Sequence, residues 1–289
     1  MRPPPHGSDT ASLTSLTRAT PTRSFLDHPG PIPFAHRGGS DEAPENTLPA
    51  FEAAVALGYR YLETDVHLTA DGALVAFHDE TLDRVTDSRG HIANLSLDRI
   101  READAGYWFT PDFGETYPFR GQGVVVPMLE EILMRWPDVR VNIEPKSDVA
   151  VGPLMALLHR LDVLDRVCIG SFSDRRLLRA RALAKGKVCT SMGRNAVAMG
   201  WVLARFGRLP RMDADCVQMP LQWRDLRVVT ESFIRAAHRS GLPVHVWTVN
   251  REDEMRELLD LGVDGIMTDR PRMLRDVLSQ RGQWRGAAE

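Results

Sequence analysis

The stretch Tyr61-Leu62-Glu63-Thr64-Asp65-Val66-His67-Leu68-Thr69-Ala70-Asp71-Gly72-Ala73-Leu74-Val75-Ala76-Phe77-His78 decides the fold. Residues 61–67 and 74–78 are short runs rich in β-formers, so both read as strands. Only a short link around Thr69 to Ala73 separates them, whereas a parallel crossover needs a dozen or more residues. Asp71-Gly72 is a hairpin signal of the type I′ kind. The second run therefore folds back antiparallel on the first. Counting outward from a two-residue turn pairs Ala70 with Ala73 and Asp65 with His78.

Working outward, further β-rich runs stand at residues 32–36, 139–144, 167–170, 188–191, 216–219, 244–249 and 265–268, with amphipathic helical stretches between them. That alternation is the pattern of parallel β/α units. With the second hairpin arm set aside, eight strands remain, the count of a closed TIM-type (β/α)8 barrel. The length of 289 residues accommodates the roughly 250 such a barrel uses. The expected organisation is a disordered N-terminal tail at 1–26, one barrel domain at 27–279, and a C-terminal tail at 280–289. An insertion of about 80–126 follows the His78-Asp79 strand. It crowds Tyr107, Trp108, Phe109, Phe113, Tyr117 and Phe119 among Gly, Pro and charged residues. A long excursion of this kind is either a lid shaping a pocket or a loop over its own small core.

Composition narrows the function. A hydrophobic share of 43% and a charged share of 26% are those of a globular chain. The formal net charge of -3 and the scattered arginines give no basic face for nucleic acid. No apolar run reaches the roughly 18 residues of a membrane span. The first 26 residues lack the apolar segment of a secretory signal, so a cytoplasmic location is expected. Cys168, Cys189 and Cys216 are far apart and odd in number, which indicates neither a disulfide framework nor a zinc cluster.

The chemistry gathers at strand ends, where a barrel of this type carries its site. On the 61–67 strand, Glu63 and Asp65 share a face with His67. Two carboxylates there either hold a hard divalent cation, which prefers oxygen ligands, or pair with Arg60 or Arg84 at the rim. The first strand ends in His36-Arg37-Gly38-Gly39, an imidazole and a guanidinium beside glycines that let backbone approach a ligand. The hairpin supplies His78, and the 139–144 strand supplies Glu144 followed by Lys146 on the same face. Pro145 has no amide to donate, so that strand should end there. Two imidazoles, three carboxylates and two cations suit phosphodiester hydrolysis. Cations neutralise developing charge while one imidazole takes a proton and the other gives one. No H-E-x-x-H, G-x-S-x-G or G-x-x-x-x-G-K-[ST] motif points elsewhere.

These residues resemble the glycerophosphodiester phosphodiesterase family along the whole folded region. The likeness rests on His36-Arg37-Gly38, Pro44-Glu45-Asn46-Thr47, Glu63-Thr64-Asp65, Asp71-Gly72, His78-Asp79, Arg84 with Thr86, and Glu144-Pro145-Lys146. It continues through Trp247-Thr248-Val249-Asn250 and Gly265-Ile266-Met267-Thr268-Asp269-Arg270-Pro271. The resemblance implies His36 and His78 as the acid/base pair and Glu63, Asp65 and Glu144 as ligands of one Mg²⁺ or Ca²⁺. It also implies Arg37 and Lys146 on phosphate, and Trp247 near the site, as an apolar wall or as core. The substrate would be a small glycerophosphodiester, cleaved to sn-glycerol 3-phosphate and an alcohol. Asn46 or Thr47 suits a helix cap, and Thr268-Asp269 a helix start. Two alternatives stand beside this reading. One is a lysophospholipase D or sphingomyelinase D type enzyme, with Trp108, Phe109 and Phe113 as an apolar lip. The other is an inactive barrel that binds phosphodiesters.

Overall fold

Eight parallel strands close on themselves in the computed structural model, which describes residues 23–209, 213–224 and 226–286. The strands in chain order are β1 (Ile32–Ala35), β2 (Tyr61–Leu68), β3 (Leu74–Ala76), β4 (Arg140–Pro145), β5 (Val167–Ile169), β6 (Cys189–Thr190), β7 (Val217–Pro220), β8 (Gln222–Trp223), β9 (Leu226–Arg227), β10 (Val244–Trp247) and β11 (Gly265–Thr268). The sheet runs β6-β5-β4-β2-β1-β11-β10-β7, and a parallel bridge between Ser191 and Cys216 joins its two ends. β3 pairs antiparallel with β2, outside the barrel count. β8 and β9, which the sequence pattern did not reveal, form a separate exposed hairpin. β4 does end at Pro145.

Helices pack around the barrel as the amphipathic stretches require, except α2, which belongs to the insertion. They are α1 (Leu48–Ala56), α2 (Leu97–Arg101), α3 (Leu129–Arg135), α4 (Val151–Arg160), α5 (Asp174–Leu183), α6 (Arg194–Leu203), α7 (Glu231–Arg239), α8 (Glu252–Asp260) and α9 (Pro271–Gln280). Thr47 caps α1, its side chain accepting from the Ala50 amide at 3.4 Å. That helix buries Ala50, Phe51 and Ala54 against the barrel. Inside the lower barrel lies a second set of buried residues that includes Phe25, Phe34, Tyr61, Met267 and the three cysteines.

The expected tails are shorter than the sequence suggested. Residues 1–22 lie outside the described residues, but Ser24–Leu26 form a 3₁₀ turn whose Phe25 is fully buried against Tyr61. At the other end Trp284 packs edge-on against Tyr59 at 5.2 Å, so the chain past α9 contributes to packing. Residues 287–289 again lie outside the described residues.

The hairpin register also differs. The link is a three-residue loop: the Gly72 amide donates to Thr69 O, and Thr69 and Ala73 close it. Gly72 takes the left-handed conformation that such a loop needs at its last position. The Thr69 hydroxyl stabilises it by accepting from the Ala73 amide at 2.9 Å and donating to Asp71. Val66 therefore pairs with Ala76, and Asp65 stands opposite Phe77 rather than His78. His78 still reaches the site because β3 has already ended.

The insertion is a loop over its own core. Val75, Phe77, Leu82, Ile92, Ile100 and Val126 form a buried cluster with Phe119 against it. Arg120 stacks on Tyr107 and Tyr117 with its guanidinium 4.3 and 3.7 Å from their ring centres.

The glycines after His36 serve packing rather than ligand approach. A Cβ on Gly38 would stand 2.7 Å from Ala50 Cβ, and one on Gly39 would stand 2.6 Å from Pro271 Cγ. Both have φ in the left-handed region, at 87° and 104°. Gly38→Ala is thus expected to destabilise the fold by about 1–3 kcal/mol through backbone strain alone, with the α1 clash in addition. Urea unfolding followed by circular dichroism measures this, and an unchanged midpoint would refute it.

Candidate active site

A cavity of about 440 Å³ opens at the C-terminal ends of the strands, a size suited to a small ligand. One wall carries His36, Arg37, Glu63, Asp65, His78, Glu144 and Lys146. Register explains much of that gathering. β2 and β4 pair so that Asp65 stands beside Glu144 and Glu63 beside Asn142. The turn after β1 swings Arg37 over both, and Arg37 does so in a left-handed backbone conformation with φ 50°.

Buried charges here are paired, as burial demands. Asp65, 2% exposed, meets Lys146 Nζ at 2.8 Å and Arg37 Nε at 3.2 Å, and accepts from the Asn46 amide at 3.2 Å. Lys146 also reaches Glu144 at 3.1 Å, and Arg37 reaches Glu45 at 3.1 Å. Burial favours a neutral Asp65, but Lys146 and Arg37 outweigh it and hold its carboxyl below the ordinary value. Glu63 differs. Among the described residues its one hydrogen bond comes from the Arg37 backbone amide at 3.1 Å, with His36 Nε2 3.7 Å away, and burial with the Asp65 charge beside it lifts its carboxyl to about 7.

The two imidazoles are anchored in the same way. His36 Nδ1 is 2.6 Å from Asp269 Oδ1, and His78 Nδ1 is 2.6 Å from Asp79 Oδ1. An Nδ1–H donated to a carboxylate leaves Nε2 free to exchange protons. Asp269 is in turn fixed by Ser40 Oγ at 2.6 Å and Asn250 Nδ2 at 2.7 Å. Asp79 is fixed by Arg84 Nε at 2.6 Å, while the rest of the Arg84 guanidinium grips Glu45. For His36, burial opposes the charged form, yet Glu63 and Asp269 outweigh it and the ring's pKa is raised.

The barrel, the strand-end cavity and the paired carboxylate–imidazole contacts match one family in particular. The model of the glycerophosphoryl diester phosphodiesterase family matches residues 36–273. The chain belongs to that family. As a member it is a phosphoric diester hydrolase. It is 40% identical to the probable glycerophosphodiester phosphodiesterase 2 of Mycobacterium tuberculosis, across 92% of this chain and 98% of that one. It is 32% identical to the glycerophosphodiester phosphodiesterase of Caldanaerobacter subterraneus, across 86% and 98%. A crystal structure of a glycerophosphodiester phosphodiesterase from Agrobacterium tumefaciens superposes with TM-score 0.68 at 28% identity, covering 84% of this chain and 98% of that one.

In this glycerophosphodiester phosphodiesterase family member, the opposite cavity wall is apolar. It is built by Phe172, by Val197 and Trp201 of α6, by Trp223 and Leu226 of the β8–β9 hairpin, and by Trp247. Trp247 meets Phe172 edge-on at 5.2 Å. None of the insertion aromatics lines the cavity, so the lid expected from Trp108, Phe109 and Phe113 is absent from this wall. His67 does not line it either. Its Nε2 lies 3.1 Å from the His78 carbonyl and steadies the backbone there.

The oxygen donors suit a hard divalent cation. Glu63, Asp65 and Glu144 face the cavity, where burial and the neighbouring Asp65 charge raise the Glu63 carboxyl. Lys146 stands between Asp65 and Glu144. Among the described residues the three carboxylates do not bring one oxygen each within 4.8 Å of the others. Their chemistry fits a cation, and seating it would require Lys146 to move aside.

Sequence reasoning missed the groups that orient these side chains: Asp269, Asn250, Asp79 and Asn46. Asp269 is held down to about 2, since His36, Ser40 and Asn250 outweigh the burial that opposes ionisation. A folded value below the unfolded one of about 3.9 gives stability that is present above about pH 4 and lost as pH falls through about 2, worth about 2 kcal/mol. Asp269→Asn is expected to flatten this acid limb in a Tm-versus-pH series. An acid limb identical to that of the parent protein would show that Asp269 does not carry it.

Proposed function

We propose that this protein hydrolyses glycerophosphodiesters to sn-glycerol 3-phosphate and an alcohol, with His36 and His78 as the general acid and base. The observation that carries the reading is the pair of imidazoles facing one cavity, each with Nδ1 on a carboxylate. Glu63, Asp65 and Glu144 would hold one Mg²⁺ or Ca²⁺, which when bound neutralises charge on the phosphoryl oxygens. Arg37 and Lys146, at the same wall, bind phosphate by exchanging part of their carboxylate contacts for it. One Nε2 removes the proton of the attacking oxygen, that of water or of the substrate's own glycerol hydroxyl, and the other protonates the leaving oxygen; in the second case water then opens the resulting cyclic phosphate. Trp247 offers an apolar face to the glycerol. Two anchored imidazoles would give an inactive phosphodiester-binding barrel nothing, which disfavours that alternative.

The apolar wall favours a second substrate class, lysophospholipids cleaved in the manner of a lysophospholipase D. Phe172, Trp223 and Leu226 line the cavity yet remain 45%, 43% and 52% exposed, an arrangement suited to an acyl chain. One assay separates the readings. Glycerophosphocholine, glycerophosphoethanolamine and lysophosphatidylcholine are incubated with Mg²⁺, Ca²⁺ or EDTA, and glycerol 3-phosphate and free alcohol are assayed. Metal-dependent glycerol 3-phosphate release supports the first reading. Choline release from the lysolipid alone moves the enzyme to the second, and no cleavage by folded, metal-supplied protein removes both.

A further inference from the structure

The barrel brings together three cysteines that the sequence keeps far apart, contrary to the expectation that their spacing forms no metal cluster. Cys168 is on β5, Cys189 opens β6 and Cys216 directly precedes β7. All three are buried, with sulfurs within 4.8 Å of one another. Cys168 Sγ and Cys216 Sγ are 4.0 Å apart. That is far beyond the roughly 2.05 Å of a disulfide. It is close to the ~3.8 Å separating two thiolates that share a tetrahedral zinc ion at roughly 2.3 Å from each.

A second observation points to the same place. His245 on β10 is fully buried beside Cys216, and among the described residues neither of its ring nitrogens has a partner within hydrogen-bond distance. Buried imidazoles are ordinarily satisfied. The fold makes room for this ring: a Cβ on Gly265 would stand 2.9 Å from His245 Cδ2. Interior layers of such barrels are usually branched and apolar. Three thiols and an unpartnered imidazole in this layer are a departure that packing does not require.

We propose that Cys168, Cys189, Cys216 and His245 form a closed Cys₃His site for one zinc ion inside the lower barrel. Three sulfurs and one nitrogen are a recurrent donor set for structural zinc. The imidazole is not itself within 4.8 Å of all three sulfurs, so it turns toward them on binding. Three thiolates and Zn²⁺ leave one negative charge; Arg181, held by hydrogen bonds to Thr190 Oγ1 and Ser191 O at 2.8 and 2.9 Å, stands beside it and is shared with the Asp215 carboxylate, which accepts from the Thr190 amide. The ion would join β5, β6, β7 and β10 across the seam where a single bridge, Ser191 to Cys216, closes the barrel. Enclosed as it is, the site loads while the chain folds. It is independent of the carboxylate site, whose oxygen donors select a different kind of cation.

Cobalt tests this on the full chain, produced with Co²⁺ replacing zinc and then dialysed against EDTA. The expected result is one retained Co²⁺ per chain with intense thiolate-to-cobalt charge-transfer absorption in the near ultraviolet. Cys189→Ser and Cys216→Ser should lose that absorption. His245→Phe should weaken retention by more than about tenfold, the scale on which even outer-shell partners of a metal act. The wild-type spectrum decides the matter if a variant does not fold. Folded wild-type chain that retains no cobalt, or shows only weak oxygen-ligand bands, overturns the proposal. So does an intact mass revealing a Cys168–Cys216 disulfide, and retention unchanged in His245→Phe removes the histidine and with it the Cys₃His site.

Discussion

His36→Ala and His78→Ala are each expected to lower kcat for glycerophosphodiester hydrolysis by about 10²- to 10⁴-fold, the range of a lost general acid or base. KM should move far less, because neither imidazole makes the charge contacts that bind phosphate. Both variants should remain folded. His78 is at the cavity rim with its side chain 33% exposed, and loss of His36 still leaves Asp269 its bonds from Ser40 and Asn250. The double variant should be little worse than the poorer single one, because groups acting in one step are strongly non-additive. A fall of less than about tenfold in both singles lies below the contribution expected of general acid–base catalysis and would remove the two histidines from their roles.

Asp65→Ala should be the most damaging substitution to both stability and activity. Asp65 takes a 2.8 Å contact from Lys146 and a 3.2 Å contact from Arg37 while almost wholly enclosed. Removing one partner of a buried ion pair typically costs about 3–5 kcal/mol, since the other charge is left uncompensated. Here Lys146 keeps Glu144 and Arg37 keeps Glu45, so the lower part of that range applies. Urea denaturation gives the loss, and isothermal titration with Ca²⁺ or Mg²⁺ should show weaker cation binding. A variant as stable as its parent would mean that Lys146 and Arg37 are served by other groups.

The fold was legible because its signals are local. A crossover too short to be parallel, and seven further β-rich runs at helical spacing, lead to eight strands without any knowledge of strand order. Register was less legible. The Thr69 hydroxyl stabilises a three-residue loop that Asp71-Gly72 alone does not announce, and the pairing shifts by one position. The cavity-lining groups His36, His78, Glu63, Asp65 and Glu144 were readable as strand-end polar residues. Their supports were not. Asp269 becomes a partner of His36 only because β11 closes against β1, placing Thr268 beside Ala35. The apolar wall was sought in Trp247 and among the insertion aromatics; Trp247 does line it, but the rest comes from Phe172, α6 and a hairpin whose two-residue strands are too short to leave a periodic trace.

That wall has an evolutionary consequence. In the proposed reaction, proton transfer and charge fall to residues at the ends of β1, β2, β3 and β4, while α6 and the β8–β9 hairpin line the far side of the mouth, where the glycerol or acylglycerol portion of the substrate would lie. Drift in Trp201, Trp223 or Leu226 would then retune which glycerol or acylglycerol portion is accepted without touching the hydrogen bonds that set His36 and His78. Selectivity and chemistry can therefore diversify separately within one barrel.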